Sequence, residues 1–290
     1  MISVKNAIIM AAGTSSRFAP ISFEKPKALV EVRGEVLIER QIKQLKDAGI
    51  SSIYVVVGYM SNQFSYLSEK FDVKLVYNSE FNTRNNNGSI WAVRDVLSDS
   101  FVCSADNYFT KNPFECEVEE SYYAAEYSEG RTAEWCMTED SLGYIDSVTI
   151  GGENAWYMMG HTFWSADFSR KFLGILEKEY ELPETKGKLW ESIFMDHLND
   201  LKMRIRKYDR DIIFEFDSLD ELRIFDESYV DNSKSKIIQK ISKSLKVQER
   251  DICRFKCIVG TENEAIGFRF YCPLGDYNYY YKTGLLEKQV

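Results

Sequence analysis

Over the first hundred positions, short apolar blocks alternate with polar stretches of helical spacing. Residues 6–12 read Asn-Ala-Ile-Ile-Met-Ala-Ala, an almost unbroken run that predicts a strand covered on both faces. Val36, Ile38, Ile42 and Leu45 recur at helical spacing, and Gly49 predicts the end of that helix. Ile53–Val57 predicts a second buried strand, Ser61 the cap of a helix carrying Phe64, Leu67 and Phe71, and residues 73–77 a third strand. Residues 89–97 look helical, and residues 101–106 predict a fourth strand ending in an acid. Strands alternating with helices point to an α/β, doubly wound parallel sheet. Ligands of such sheets sit at the carboxyl edges of the strands. Gly13, Ser89 and Asp106 all fall at that edge.

Beyond residue 110 the pattern changes. Residues 122–127, 134–137, 144–150 and 156–163 read as strands with no helix between them, which predicts an antiparallel layer. Helices are expected again at 166–180, 187–200 and 218–228, with strands at 203–208 and 212–216. Residues 232–235 read as a linker or a helix start, followed by a basic amphipathic helix with Ile237, Ile238, Ile241 and Leu245 on one side. Strand-like segments at 252–259, 266–271 and 277–282 complete the chain.

The 290 residues carry a net charge of −9 and no long Lys/Arg run, which argues against nucleic acid as the partner. An acidic chain that handles phosphates needs local cations or a divalent metal. The six cysteines are scattered, Cys253, Cys257 and Cys272 are poorly spaced for zinc, and no stretch approaches a membrane span. A cytoplasmic protein with reduced thiols, not inserted in a membrane, is expected; homo-oligomerisation is left open.

The chemistry concentrates in the first loop. Small residues at Ala11, Ala12 and Gly13 let the backbone approach a ligand closely, and Thr14, Ser15 and Ser16 add hydroxyls. Arg17 offers a fork that matches phosphate oxygens, and Lys27, in Lys25-Pro26-Lys27, offers a point charge. Neither a Walker loop nor a dinucleotide fingerprint is present. Asp106 and Asp217, each at a strand end, could share Mg²⁺, although Asp217 could equally cap the helix after it. With only His161 and His197 in the chain, histidine acid–base chemistry is poorly supplied. Transfer to an anionic phosphate nucleophile needs only positioning and charge neutralisation. Tyr122, Tyr123, Trp135, Trp156, Tyr157, Trp164 and Trp190, with Glu134 and Glu191 beside two of them, could pack a core or box a cation.

Ala11-Ala12-Gly13-x-x-x-Arg17 with Lys25-Pro26-Lys27 resembles the signature of nucleotidyltransferases that load nucleotides onto phosphorylated small molecules. More narrowly, the chain resembles the bacterial CTP:phosphocholine cytidylyltransferases. The further matches are Tyr77-Asn78, Asn85-Asn86 with Ser89, residues 105–108, Glu134-Trp135, residues 189–191 and residues 215–218, in order across about residues 5–228. The resemblance implies a Rossmann-like mixed sheet with an antiparallel substrate-binding layer. It also implies attack of phosphocholine on the α-phosphate of CTP, giving CDP-choline and pyrophosphate. By position, Arg17 and Lys27 would stabilise the triphosphate, Asp106 and Asp217 would hold Mg²⁺, and Asn86 with Ser89 would lie near the cytosine. Trp135 and Trp190, with Glu191 and Tyr157, would face the trimethylammonium. Ser15 stands where many relatives have glycine. Residues 1–228 form the expected catalytic domain. Residues 229–290 form a small C-terminal α+β extension, faintly similar to the start of a choline-kinase amino-terminal lobe and too short to be a kinase. The alternatives are the same chemistry on a sugar 1-phosphate, phosphoethanolamine or an aminophosphonate, and a non-catalytic sensor.

Overall fold

The computed structural model describes residues 1–261 and 264–289, which fall into two compact units. The first comprises Met1–Gly13 and Ile38–Glu215; the second comprises Thr14–Leu37 and Phe216–Val290.

In the first unit the apolar blocks become strands β1 (Asn6–Ala11), β2 (Ile53–Val57), β3 (Lys74–Tyr77) and β4 (Ser100–Ser104). Helices α1 (Leu37–Asp47), α2 (Tyr66–Phe71) and α3 (Asn87–Ala92) alternate with them. Two expected helices are shorter than their periodicity suggested. A 3₁₀ turn, Ser61–Phe64, precedes α2, and α3 stops at Ala92. β5 (Asn107–Phe109) follows, then the long strands β6 (Tyr122–Glu139) and β7 (Ile145–Trp164). The four separate strands expected in this region are two. Register shifts along the β6–β7 hairpin interrupt the alternation that the sequence reading relied on. Helices α4 (Ala166–Glu179) and α5 (Trp190–Asp196) and strands β8 (Arg204–Lys207) and β9 (Ile213–Glu215) complete the unit.

Seven strands form one mixed sheet in the order β8-β6-β7-β4-β1-β2-β3, while β5 pairs with β9 separately. β1 lies parallel to both β2 and β4, and β7 joins β4 antiparallel. The expected α/β mixed sheet with an antiparallel layer is what forms. Ile8, Val56, Val102, Trp164, Phe172 and Trp190 are among the residues of the core. No helix among the described residues is long and apolar enough to cross a membrane.

In the second unit, α6 (Leu219–Phe225) and α7 (Lys236–Leu245) precede a four-stranded antiparallel sheet, β10 (Cys253–Val259), β11 (Ala265–Cys272), β12 (Gly275–Tyr280) and β13 (Leu285–Lys288). The segment 14–37 belongs to this unit, and compactness groups residues 216–228 with the chain that follows them.

Candidate active site

β1 ends at Ala11, which is buried like Ala12 after it, and Gly13 follows, exposed. A Cβ built on Gly13 would meet no heavy atom within 4 Å, so the position keeps open space at the sheet edge. Ala12 is held from the neighbouring strand end, where Tyr59 donates its N–H to the Ala12 carbonyl at 3.0 Å. Gly58 permits that approach, since a Cβ there would lie 2.9 Å from the same carbonyl oxygen.

On α3 the two residues expected near the base have internal partners. Ser89 is buried and accepts from the Asn78 amide at 3.2 Å. Asn86 donates to Glu191 Oε2 at 2.9 Å and accepts from the Trp190 N–H at 2.7 Å. It thereby ties the first turn of α5, whose leading N–H groups lack intrahelical partners.

Asp106 is half-buried in the turn joining β4 to β5. Next to it, Asn107 is 2% exposed, and neither polar atom of its side chain has a hydrogen-bond partner among the described residues. Such orphaned groups are costly unless something satisfies them. Asn107 pairs in register with Glu215 of β9.

Glu191 is the most perturbed carboxylate near these residues. Burial pushes its pKa up to about 7, against the opposing bonds from Asn86 and from the Tyr123 hydroxyl at 3.4 Å. Tyr123 also feels the charge of Glu215. Trp190 stacks on Tyr123 with ring centroids 5.7 Å apart and meets Trp164 edge-on at 4.9 Å. At 1% exposure Trp190 is a core residue, with little ring face left for a ligand. Trp135 is half-buried on β6.

Tyr157 does not join this group. Its chain neighbours Trp156 and Met158 pack on the core that contains Trp190, so strand alternation turns Tyr157 to the other face. There it bonds Glu126, and burial with the charges of Glu126 and Glu134 raises its pKa to about 12. The expected choline group of Trp135, Trp190, Glu191 and Tyr157 is therefore corrected: Tyr157 lies on the opposite face from Trp190. Glu126, buried and accepting the Ile213 N–H at 2.9 Å, was missed by the sequence reading. An acid inside the apolar run Tyr122-Tyr123-Ala124-Ala125 was the available signal. Neither histidine enters the site. His161 is fully buried, its Nε2 lies 2.9 Å from the Tyr122 hydroxyl, and burial lowers its pKa to about 3.

In the second unit, the loop arginine and lysine meet on one acid. Arg17 lies 2.5 Å from Asp217 Oδ2, and Lys27 Nζ lies 3.6 Å from Oδ1. Lys27 is buried at 4% exposure, whereas the Arg17 side chain is 76% exposed. Asp217 does not cap α6. Ser218 does, in a capping box with Glu221, and the Asp217 N–H donates to Glu221 Oε2 at 2.6 Å. The Asp217 carboxylate is thus left for the cations. Ser15, half-buried, adopts φ 48°, ψ 43°, the left-handed region that favours glycine. Thr14 is exposed and Ser16 half-buried. Among the described residues no group of three or more His, Cys, Asp or Glu side chains is placed to hold a metal.

The family described as MobA-like NTP transferase domain matches residues 7–115. The choline-phosphate cytidylyltransferase of Streptococcus pneumoniae is 34% identical over 221 residues, 76% of this chain and 96% of that protein. The 2-aminoethylphosphonate cytidylyltransferase of Lancefieldella rimae is 35% identical over 229 residues, 78% of this chain and 93% of its own length. The solved structure of the CTP:phosphocholine cytidylyltransferase LicC from Streptococcus pneumoniae superposes with a TM-score of 0.74 at 34% identity, covering 78% of this chain and 99% of that one. Likeness at this level runs through nearly the whole length of these enzymes, and the chain belongs to the choline-phosphate cytidylyltransferase family of nucleotidyltransferases.

Proposed function

We propose that this protein transfers CMP from CTP to phosphocholine, giving CDP-choline and pyrophosphate, with Mg²⁺. The observation that carries the reading is the sharing of the Asp217 carboxylate by Arg17 and Lys27. Two cations that can address the two oxygens of one carboxylate can address two oxygens of a phosphate. Lys27 is anchored by burial, and Arg17 reaches from the surface. Arriving triphosphate would draw both from the acid.

An acceptor phosphate is already anionic near neutral pH, so no base has to remove a proton. The protein has to align it with the α-phosphorus and neutralise the charge that develops on the leaving pyrophosphate. Arg17 and Lys27 fit that second task. Asp106 in the first unit and Asp217 in the second are the acids that the family resemblance assigns to the metal. They suit Mg²⁺, which takes one or two carboxylates and draws its other ligands from phosphates and water. When bound, the ion supplies further charge neutralisation on the phosphate oxygens. The open space at Gly13 suits the nucleotide. Glu191 and Tyr123, backed by the buried Trp190, and Trp135 suit the cationic end of the acceptor. Cytoplasmic residence fits the six free cysteines.

One observation favours a second acceptor. Glu191 and Glu215 both influence the Tyr123 hydroxyl, and carboxylates beside a hydroxyl suit a primary ammonium better than a trimethylammonium. The similar identity to a 2-aminoethylphosphonate cytidylyltransferase points the same way. The test is CTP turnover with phosphocholine, phosphoethanolamine, 2-aminoethylphosphonate and glucose 1-phosphate in parallel. Phosphocholine should give the highest kcat/KM. A preference for either primary amine would replace the choline assignment, and a preference for the sugar would end both.

A further inference from the structure

The relatives are matched over almost their whole length by about three-quarters of this chain, so the remainder has no counterpart in them. That remainder is not a separate body. The segment 14–37, which carries Arg17 and Lys27, is compact with residues 216–290. Three contacts outside the family resemblance tie it there. Glu24 accepts from the Ser235 hydroxyl at 2.5 Å and from the N–H groups of Lys236 and Ile237 at 2.9 and 3.0 Å, so the loop's own carboxylate satisfies the first turn of α7. Phe23 stacks on Tyr281 with ring centroids 3.7 Å apart and planes 1° from parallel. β10 runs beside the Ser16–Phe18 turn, and the Ser16 hydroxyl hydrogen-bonds Cys257.

These contacts flank Arg17. Ser16 is pinned on one side of it, and Phe23 and Glu24 on the other. The same turn contains Ser15 in a left-handed conformation, which a non-glycine residue keeps only when its surroundings hold it. We infer that residues 233–261 and 264–289 act as a brace that presets the loop bearing Arg17 and Lys27, making nucleotide affinity depend on contacts made by Ser235, Cys257 and Tyr281. The same segment is also tied to residues 220–231, through Arg223 to the Glu249 and Ile252 carbonyls and through the Arg254 N–H to Asp220, so the loop and the segment share one packed body. The inference rests on the reading of that loop as the triphosphate site. Tyr281 and Glu24 are positioning residues in this scheme.

The test uses the full-length chain with Tyr281→Ala, Glu24→Ala and both together, and Tyr281→Phe as the conservative control. KM for CTP should rise about tenfold in the double variant, the equivalent of ~1.4 kcal/mol, with kcat little changed. Amide exchange should quicken within residues 14–37 while β1 and β4 stay protected. Tyr281→Phe, which keeps the ring, should restore both readings. Unchanged KM and unchanged exchange would overturn the brace. So would a uniform loss of protection that includes β1 and β4, which would mark a purely structural role. If the wild-type chain fails to turn over CTP, the nucleotide reading falls by itself. Local exchange in residues 14–37 then decides the brace alone: faster exchange reversed by Tyr281→Phe supports it, and unchanged exchange rejects it.

Discussion

The Asn86 amide donates to the Glu191 carboxylate at 2.9 Å, while its oxygen takes the N–H of the adjacent Trp190 at 2.7 Å. One side chain therefore fixes both the helix that carries Glu191 and the direction of its carboxylate. Glu191 nevertheless has a pKa pushed up to about 7, because burial outweighs the bonds it accepts. It therefore keeps its proton to a higher pH than an ordinary glutamate, which is fully ionised at neutral pH.

A pH dependence follows for acceptor binding. A cationic acceptor binds the ionised form better, so affinity should rise between pH 6 and 8. The phosphate of the substrate titrates near pH 6 as well. The measurement is therefore a ratio of acceptor KM in wild type to that in Glu191→Gln across this range. The wild type should gain on the variant as pH rises. A flat ratio would show that Glu191 does not meet the cation.

Stability should run in the opposite direction. A carboxylate whose folded pKa lies above its unfolded value favours the folded state in its protonated form. That contribution is complete below about pH 4.5 and is lost as pH climbs through about 7. Glu191→Gln should thus melt higher than wild type at pH 8, by a margin that shrinks at pH 5. Thermal unfolding at the two values checks it.

Much of this arrangement was legible in the sequence. β1, β2 and β4 announced themselves as apolar runs because both their faces are covered, and Ile53–Val57 matches its predicted limits. Arg17 and Lys27, read as a fork and a point charge for one anion, do meet on one anionic group, the Asp217 carboxylate. The long hairpin was not legible, because its register shifts break the two-residue period. Trp190 read as a ligand face and is core, since an aromatic beside an acid looks alike in both settings. The contact of Glu24 with Ser235 spans 211 positions, and no local pattern encodes such a pair.

Asp217 is expected to serve the metal rather than the helix. Asp217→Asn keeps the shape and removes the charge, and the Ser218–Glu221 cap stays in place. Turnover should fall by roughly 10²–10³, the usual cost of losing one aimed electrostatic group. The Mg²⁺ needed for half-maximal rate should rise. CTP binding measured without metal should hold or tighten, because Arg17 and Lys27 are freed from a competing anion. Equal Mg²⁺ dependence in the two proteins would remove Asp217 from the metal site.

Ser15 separates conformation from chemistry. At φ 48° a β-branched residue is strongly disfavoured, so Ser15→Val should cost ~1–2 kcal/mol and weaken CTP binding. Ser15→Gly relieves the strain but loosens the unfolded chain, so its melting temperature should stay close to wild type. If Ser15→Val binds CTP normally, the turn tolerates another conformation and its shape is not what the nucleotide needs.

Tyr123 and Tyr157 offer the sharpest contrast, because both hydroxyls meet glutamates but on opposite faces of the β6–β7 hairpin. Tyr123 bonds Glu191 and stacks on Trp190, whereas Tyr157 bonds Glu126, which is itself held by the Ile213 N–H. Tyr123→Phe removes one of the bonds that favour ionised Glu191. The pH at which acceptor affinity rises should move upward, and the acceptor KM at pH 7 should increase. Tyr157→Phe leaves the Glu191 group intact. It strips Glu126 of a donor in a buried setting, which should lower stability by an amount typical of one lost hydrogen bond to a charged group, ~1.5–3 kcal/mol, and so lower the melting temperature, with the acceptor KM unmoved. Steady-state kinetics at several pH values and thermal unfolding of both variants distinguish the two residues. A rise in acceptor KM for Tyr157→Phe would return that ring to the acceptor site and refute its assignment to the opposite face.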